Sequence, residues 1–136
     1  MTTIEWKGEM AFEASTPSNH KVLMDSAKEF GGGDSAARPT EILIAALGGC
    51  TGMDVVSILT KKQMKPDSFR MEIQSERRAE YPMAFTKIVI KYILKGAKLT
   101  DEGVSRAIEL SQEEYCSVAA TLRGAAGIEY SYVIES

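Results

Sequence analysis

The longest apolar run in the chain has no period at all. Ile42, Leu43, Ile44, Ala45, Ala46 and Leu47 point in every direction of a helical wheel. Arg38-Pro-Thr-Glu41 supplies the chemistry of a helix start, with Pro39 tolerated in the first turn and Glu41 favouring the positive end of the dipole. Pro66 closes the element, so the pattern predicts a helix from about residue 40 to Lys61-Lys62-Gln63. A helix that is apolar all round must be buried on several sides. In a chain this small, that takes a sheet on one flank and other helices or a second subunit on the other. Beyond Pro66 the period becomes two. Phe69, Met71 and Ile73 alternate with Arg70, Glu72 and Gln74, and Ile88, Ile90, Tyr92 and Leu94 follow the same rule, which predicts two long antiparallel strands around a turn near residues 79–83. Thr100 opens a second helix with Val104, Ala107, Ile108 and Ser111 on one face, and residues 127–134 close as a strand. At the N-terminus, Thr3 to Glu13 and His20 to Asp25 read as strands joined by the turn formers Ser15 to Asn19. Residues 27–37, with Gly31, Gly32 and Gly33, read as a mobile loop leading into the long helix. The sum is an α+β chain of one domain, residues 1–136, with no internal repeat or linker.

Composition removes several function classes. The chain has 136 residues, 44% of them hydrophobic, which suffices for a core to which a partner subunit can add. A net charge of -3, with Lys and Arg scattered rather than striped, gives no sustained attraction for phosphate backbones or anionic membranes, so neither nucleic acid nor a membrane is expected as a partner. The N-terminal residues lack the basic region and apolar core of a secretory leader, and Asp54 interrupts the long apolar run. A cytoplasmic protein is expected. His20 is the only histidine, and no Cys-x-x-Cys spacing accompanies it, so no metal or other cofactor is predicted. The triple glycine lacks the Lys-Ser/Thr that completes a phosphate loop.

The chain's two cysteines, Cys50 and Cys116, are too few for a secreted disulfide framework. In a reducing compartment they are thiols with a redox or catalytic task, or buried packing. Gly48, Gly49 and Gly52 flank Cys50 and leave room for another backbone or a small substrate to approach, at some cost in helix stability. Cys116 stands where a polar helix gives way to Ser117-Val-Ala-Ala-Thr.

The segment from Arg38 to Val55, followed much later by Ala107 to Val118, resembles the family of osmotically induced protein C and organic hydroperoxide resistance protein. The resemblance implies an α+β fold of two intertwined subunits, long central helices packed against antiparallel sheets, and active sites at the subunit interface. It also implies thiol-dependent reduction of organic hydroperoxides, with Cys50 attacking the peroxide, Cys116 resolving the product, and a dithiol such as a lipoyl group restoring both. An activating glutamate near the helix start belongs to the same pattern, and Glu41 is its candidate here. It stands one position late, and nine residues at about 100° each put it on the opposite face of the helix from Cys50. The family's activating arginine lies on the N-terminal strands, whereas the first arginine of this chain is Arg38; Lys7, Lys21 and Lys28 precede it without the guanidinium fork.

The chemistry asks for these residue types on its own terms. A thiolate attacks the O–O bond, and a free pKa of about 8.5 leaves few thiols ionised at neutral pH unless a cation or hydrogen bond assists. The sulfenic acid formed needs a second thiol within disulfide reach. Asp54, one turn beyond Cys50 and on its face, is expected to disfavour the thiolate unless an arginine neutralises it. Met53, Phe85 and Tyr115 are candidates for an apolar wall favouring alkyl hydroperoxides over hydrogen peroxide. The alternative is a non-catalytic homodimer of the same fold that binds a small apolar ligand or keeps its thiols as redox sensors.

Overall fold

Gly8 and Glu9 adopt positive φ angles of 108° and 50°, and that reversal divides the first expected strand in two. In the computed structural model, which describes residues Met1–Ser136, β1 (Thr3–Gly8) pairs antiparallel with β2 (Ala11–Ser15), and β2 with β3 (Lys21–Met24). Exposed His20 sits at the second turn, where its ring Nδ1 lies 3.0 Å from the Ser18 hydroxyl.

The glycine-rich segment that follows is not the free loop its composition suggested. The buried Asp25 carboxylate accepts from the amides of Ser26 at 2.7 Å, Gly33 at 3.2 Å and Ser35 at 3.1 Å, and from the Ser35 hydroxyl at 2.6 Å. Arg38 then donates to Asp34 at 2.7 Å, while its own amide donates to the Glu41 carboxylate at 2.9 Å. That last contact is the return half of a capping box and starts α1 (Pro39–Lys61). Residues Met1–Ala45 form one compact unit and Ala46–Ser136 another.

In the second unit β4 (Ser68–Arg77) and β5 (Phe85–Lys95) pair antiparallel, as their alternation predicts. β6 (Gly127–Glu135) lies on the other side of β5 and runs parallel to it. The sheet is therefore mixed rather than antiparallel throughout. The chain returns from β5 through α2 (Asp101–Leu110), a π-helical turn (Ser111–Tyr115) and α3 (Ser117–Leu122), and such a crossover delivers a strand in the same direction. Ile88, Ile90, Tyr92 and Leu94 of β5 are fully buried and oppose Ser75, Ile73, Met71 and Phe69 of β4 in register. Val104, Ala107, Ile108 and Ser111 are also buried, confirming the predicted face of the second helix.

Candidate functional site

Within the second unit, two glycines bring α1 against the sheet. A Cβ on Gly48 meets the tip of Ile73 at 3.1 Å, and one on Gly52 meets the end of Met71 at 2.8 Å. The helix is covered on that face alone: Leu47, Gly48, Thr51, Gly52, Val55 and Leu59 are its buried residues, whereas Met53 is 76% exposed. The expectation of burial on several sides is thus not met within one chain. Cys50 stands at the margin of the covered face, partly exposed, and Asp54 follows one turn later on the same side.

The second thiol is placed by an irregularity. α2 begins with the Thr100 hydroxyl accepting from the Gly103 amide at 3.0 Å and ends in the π-turn, whose wide ring closes when the Cys116 amide donates to the Ser111 carbonyl at 2.7 Å. Cys116 then starts α3, its Sγ accepting from the Ala119 amide at 3.4 Å. The side chain is only 2% exposed. Burial pushes the Cys116 thiol up to about 11; the Ala119 amide opposes the rise, while Cys50 and the charge of Asp54 add to it. Both cysteines are free, and Cys50 is among the groups that act on the Cys116 thiol.

Beneath them runs a chain of buried hydroxyls. The Gln112 amide donates to the Tyr92 hydroxyl at 2.8 Å, that oxygen lies 2.7 Å from Thr51 Oγ1, and Thr51 lies 2.7 Å from Ser111 Oγ. Ser111 donates to the Asp54 carboxylate at 2.9 Å. A carboxylate only accepts and a hydroxyl carries one proton, so with the Gln112 amide donating at the other end the hydroxyls all point one way, from Tyr92 through Thr51 and Ser111 to Asp54. Burial raises the Tyr92 hydroxyl above its ordinary range, against the pull of Thr51 and Gln112. Arg123 braces the same turn by donating to the Gln112 carbonyl, with Glu113 at 3.9 Å.

Two openings border this part of α1. Asp54, Ser57, Ile58, Lys61, Leu110 and Tyr115 line a cleft of about 540 Å³. A shallower and almost wholly apolar groove of about 480 Å³ runs over Gly49, Gly52, Met53 and Val56 to Phe69 and Met71. Of the three residues expected to wall the site, Tyr115 borders the first opening and Met53 the second. Phe85 borders neither; it starts β5 and lies under the Arg77 guanidinium at 5.5 Å. Glu41 is engaged with the Arg38 amide at the helix start. Thr51, Tyr92, Ser111 and Gln112 escaped the sequence reading as a group. A polar threonine directly after the apolar run of α1 was the one local signal.

Residues 31–131 match the family described as OsmC-like protein. The chain belongs to that family. Protein YhfA of Escherichia coli is 40% identical over 131 residues, covering 96% of this chain and 95% of its own length. A hypothetical protein from Aquifex aeolicus shares 27% identity with this OsmC-like chain at a TM-score of 0.86, covering 99% of this chain and 95% of its own. An organic hydroperoxide resistance protein from Elizabethkingia anophelis has the same fold, at a TM-score of 0.73 and 14% identity over 98% of this chain and 94% of its own.

Proposed function

We propose that this OsmC-like chain is a thiol-dependent peroxidase for organic hydroperoxides, working as a single domain over residues 1–136 within a cytoplasmic homodimer. The observation that carries the reading is the pairing of one partly exposed free thiol, Cys50, with one buried free thiol, Cys116, on whose ionisation Cys50 acts. In the first step the Cys50 thiolate attacks the distal oxygen of ROOH; the O–O bond breaks, Cys50 becomes a sulfenic acid, and ROH leaves with a proton. In the second, Cys116 displaces the sulfenic oxygen as water and an S–S bond forms. A small dithiol such as a lipoyl group then exchanges with that disulfide and returns both thiols.

Burial suits Cys116 to the second step and not the first, since a thiol held up to about 11 stays protonated until a sulfenic acid appears beside it. Glu41 serves the reaction through the start of α1, where its carboxylate holds the Arg38 amide at 2.9 Å. The test is to treat the reduced protein with an alkyl hydroperoxide and follow free thiols and intact mass. Loss of both thiols with a two-proton decrease in mass, abolished in Cys50→Ser, is expected; thiols that persist under excess peroxide reject the enzyme. In that event the apolar groove over Gly49, Met53 and Val56 supports the second reading, a module that binds a small apolar ligand and keeps its thiols as redox sensors.

A further inference from the structure

Disulfide closure poses a proton problem that the thiol pair alone does not solve. With its thiol held up to about 11, roughly one Cys116 in 10,000 is ionised at pH 7. Yet its sulfur must lose a proton as the S–S bond forms. No hydroxyl in the buried chain offers relief, because each is spent donating towards Asp54.

We propose that the Asp54 carboxylate is the proton acceptor for Cys116 during disulfide closure. Three observations support it. It follows Cys50 by one helical turn on the same side of α1. It accepts from the side chain of Ser111, the residue whose carbonyl accepts the Cys116 amide, so α1 and the π-turn are tied together at the thiol pair. It borders the 540 Å³ cleft with Ser57, Ile58, Lys61, Leu110 and Tyr115, which gives the proton a way out to solvent. The titratable and charged groups around it are Cys50 and Lys61 on its own helix, Tyr115 and Cys116 from the π-turn and its end, and Tyr92 through the hydroxyls.

The inference rests on the thiol-pair reading for its biological setting, but the same proton transfer is required when the disulfide closes without peroxide. In the peroxide reaction, the Cys116 S–H proton passes to Asp54 and on to the departing sulfenic oxygen, which leaves as water. With an aromatic disulfide reagent, the Cys50 thiolate first displaces one aromatic thiolate and forms a mixed disulfide. Cys116 then attacks the Cys50 sulfur, its proton goes to Asp54, and the second aromatic thiolate departs as the internal disulfide closes. No external oxidant beyond the reagent is needed.

The experiment follows both releases of aromatic thiolate by absorbance in stopped flow, for the full chain and for Asp54→Asn, Asp54→Glu and Ser111→Ala, across pH 5 to 10. General-base assistance contributes about 100-fold to 10,000-fold. Asp54→Asn keeps the acceptor for Ser111 and removes the base. Its second release is therefore expected to slow by about 100-fold or more at pH 7 and to rise about tenfold per pH unit, as free ionisation of Cys116 demands, while the first release does not slow. Asp54→Glu restores part of the rate. Ser111→Ala, which keeps the carboxylate, stays within about tenfold of the wild type. An unchanged second release in Asp54→Asn overturns the proposal, as does a slowing equal at every pH and shared by Ser111→Ala, which marks mere positioning. Because no peroxide enters, failure here leaves the peroxidase reading standing. Inert thiols under hydroperoxide with normal assisted closure reject that reading alone.

Discussion

At the scale of single residues, Asp25 and Cys116 show how placement changes a familiar group. Asp25 collects four hydrogen bonds, led by the Ser35 hydroxyl, and its carboxyl falls from the ordinary 3.8 to about 2. A carboxyl whose folded pKa is depressed contributes stability above its unfolded pKa and loses it as pH falls through the folded one. Urea midpoints measured between pH 6 and 2 are therefore expected to decline below about pH 4 in the wild type. Asp25→Asn should be less stable at pH 6 and should flatten that decline; parallel curves for the two proteins would remove Asp25 from the account. Cys116→Ser tests the division of labour between the thiols. With hydroperoxide it should stop at a sulfenic acid on Cys50, trapped by a carbon nucleophile and visible as a mass adduct, whereas Cys50→Ser should give no adduct. Both thiols were legible in the sequence, because cysteines in an apolar helix and just after a polar one are conspicuous. Asp25 was not. Nothing in a strand-end aspartate announces that eight to ten residues later a glycine and a serine will fold back onto it.

At the scale of elements, what the period of the sequence encoded was recovered and what geometry alone decides was missed. The two-residue alternation of β4 and β5 and the long helix between Pro39 and Pro66 were plain. The direction of β6 was not, since a strand's pattern is the same whether it pairs parallel or antiparallel and only the crossover through α2 and α3 sets its sense. The π-turn was equally hidden, and it matters more, because the extra residue in that turn delivers Cys116 to the thiol pair. Thr51 links α1, β5 and the π-turn in one place. Thr51→Val keeps the shape but leaves the Tyr92 hydroxyl without its acceptor and Ser111 without its donor, a loss of about 1 to 3 kcal/mol in urea denaturation. Gly52→Val should also destabilise by about 1 to 3 kcal/mol, since its Cβ already meets the end of Met71. Gly49→Ala meets nothing within 4 Å and should be neutral or stabilising in the same assay. If Gly52→Val costs no more than Gly49→Ala, the close approach of helix and sheet is not what the glycines serve.

At the scale of the whole molecule, the question is what covers the rest of α1. An eighteen-residue window of this helix has a mean hydropathy of 2.0 with 33% of it buried, which by length and composition alone also suits a membrane span. Its contacts argue otherwise. Gly48 and Gly52 lie against β4, and Thr51 belongs to a buried polar chain, so one side is core while Met53 at 76% and Val56 at 38% exposure border an open apolar groove. A strip of this kind suits the same strip on a second copy, because a two-fold contact buries every residue twice and doubles the effect of any one substitution. Covering a methionine contributes about 1.5 to 3 kcal/mol, and forcing an unpaired carboxylate into its place costs more than that gain. The wild-type chain is therefore expected to sediment at twice its 14.9 kDa at micromolar concentration, and Met53→Asp at the single mass with unchanged far-ultraviolet dichroism. A Met53→Asp protein that still sediments as a pair would place the contact elsewhere on the chain. A wild type that sediments singly at every concentration would leave the groove open for a small apolar ligand, and binding of an apolar fluorophore, lost on Met53→Asp, would then be the result to look for.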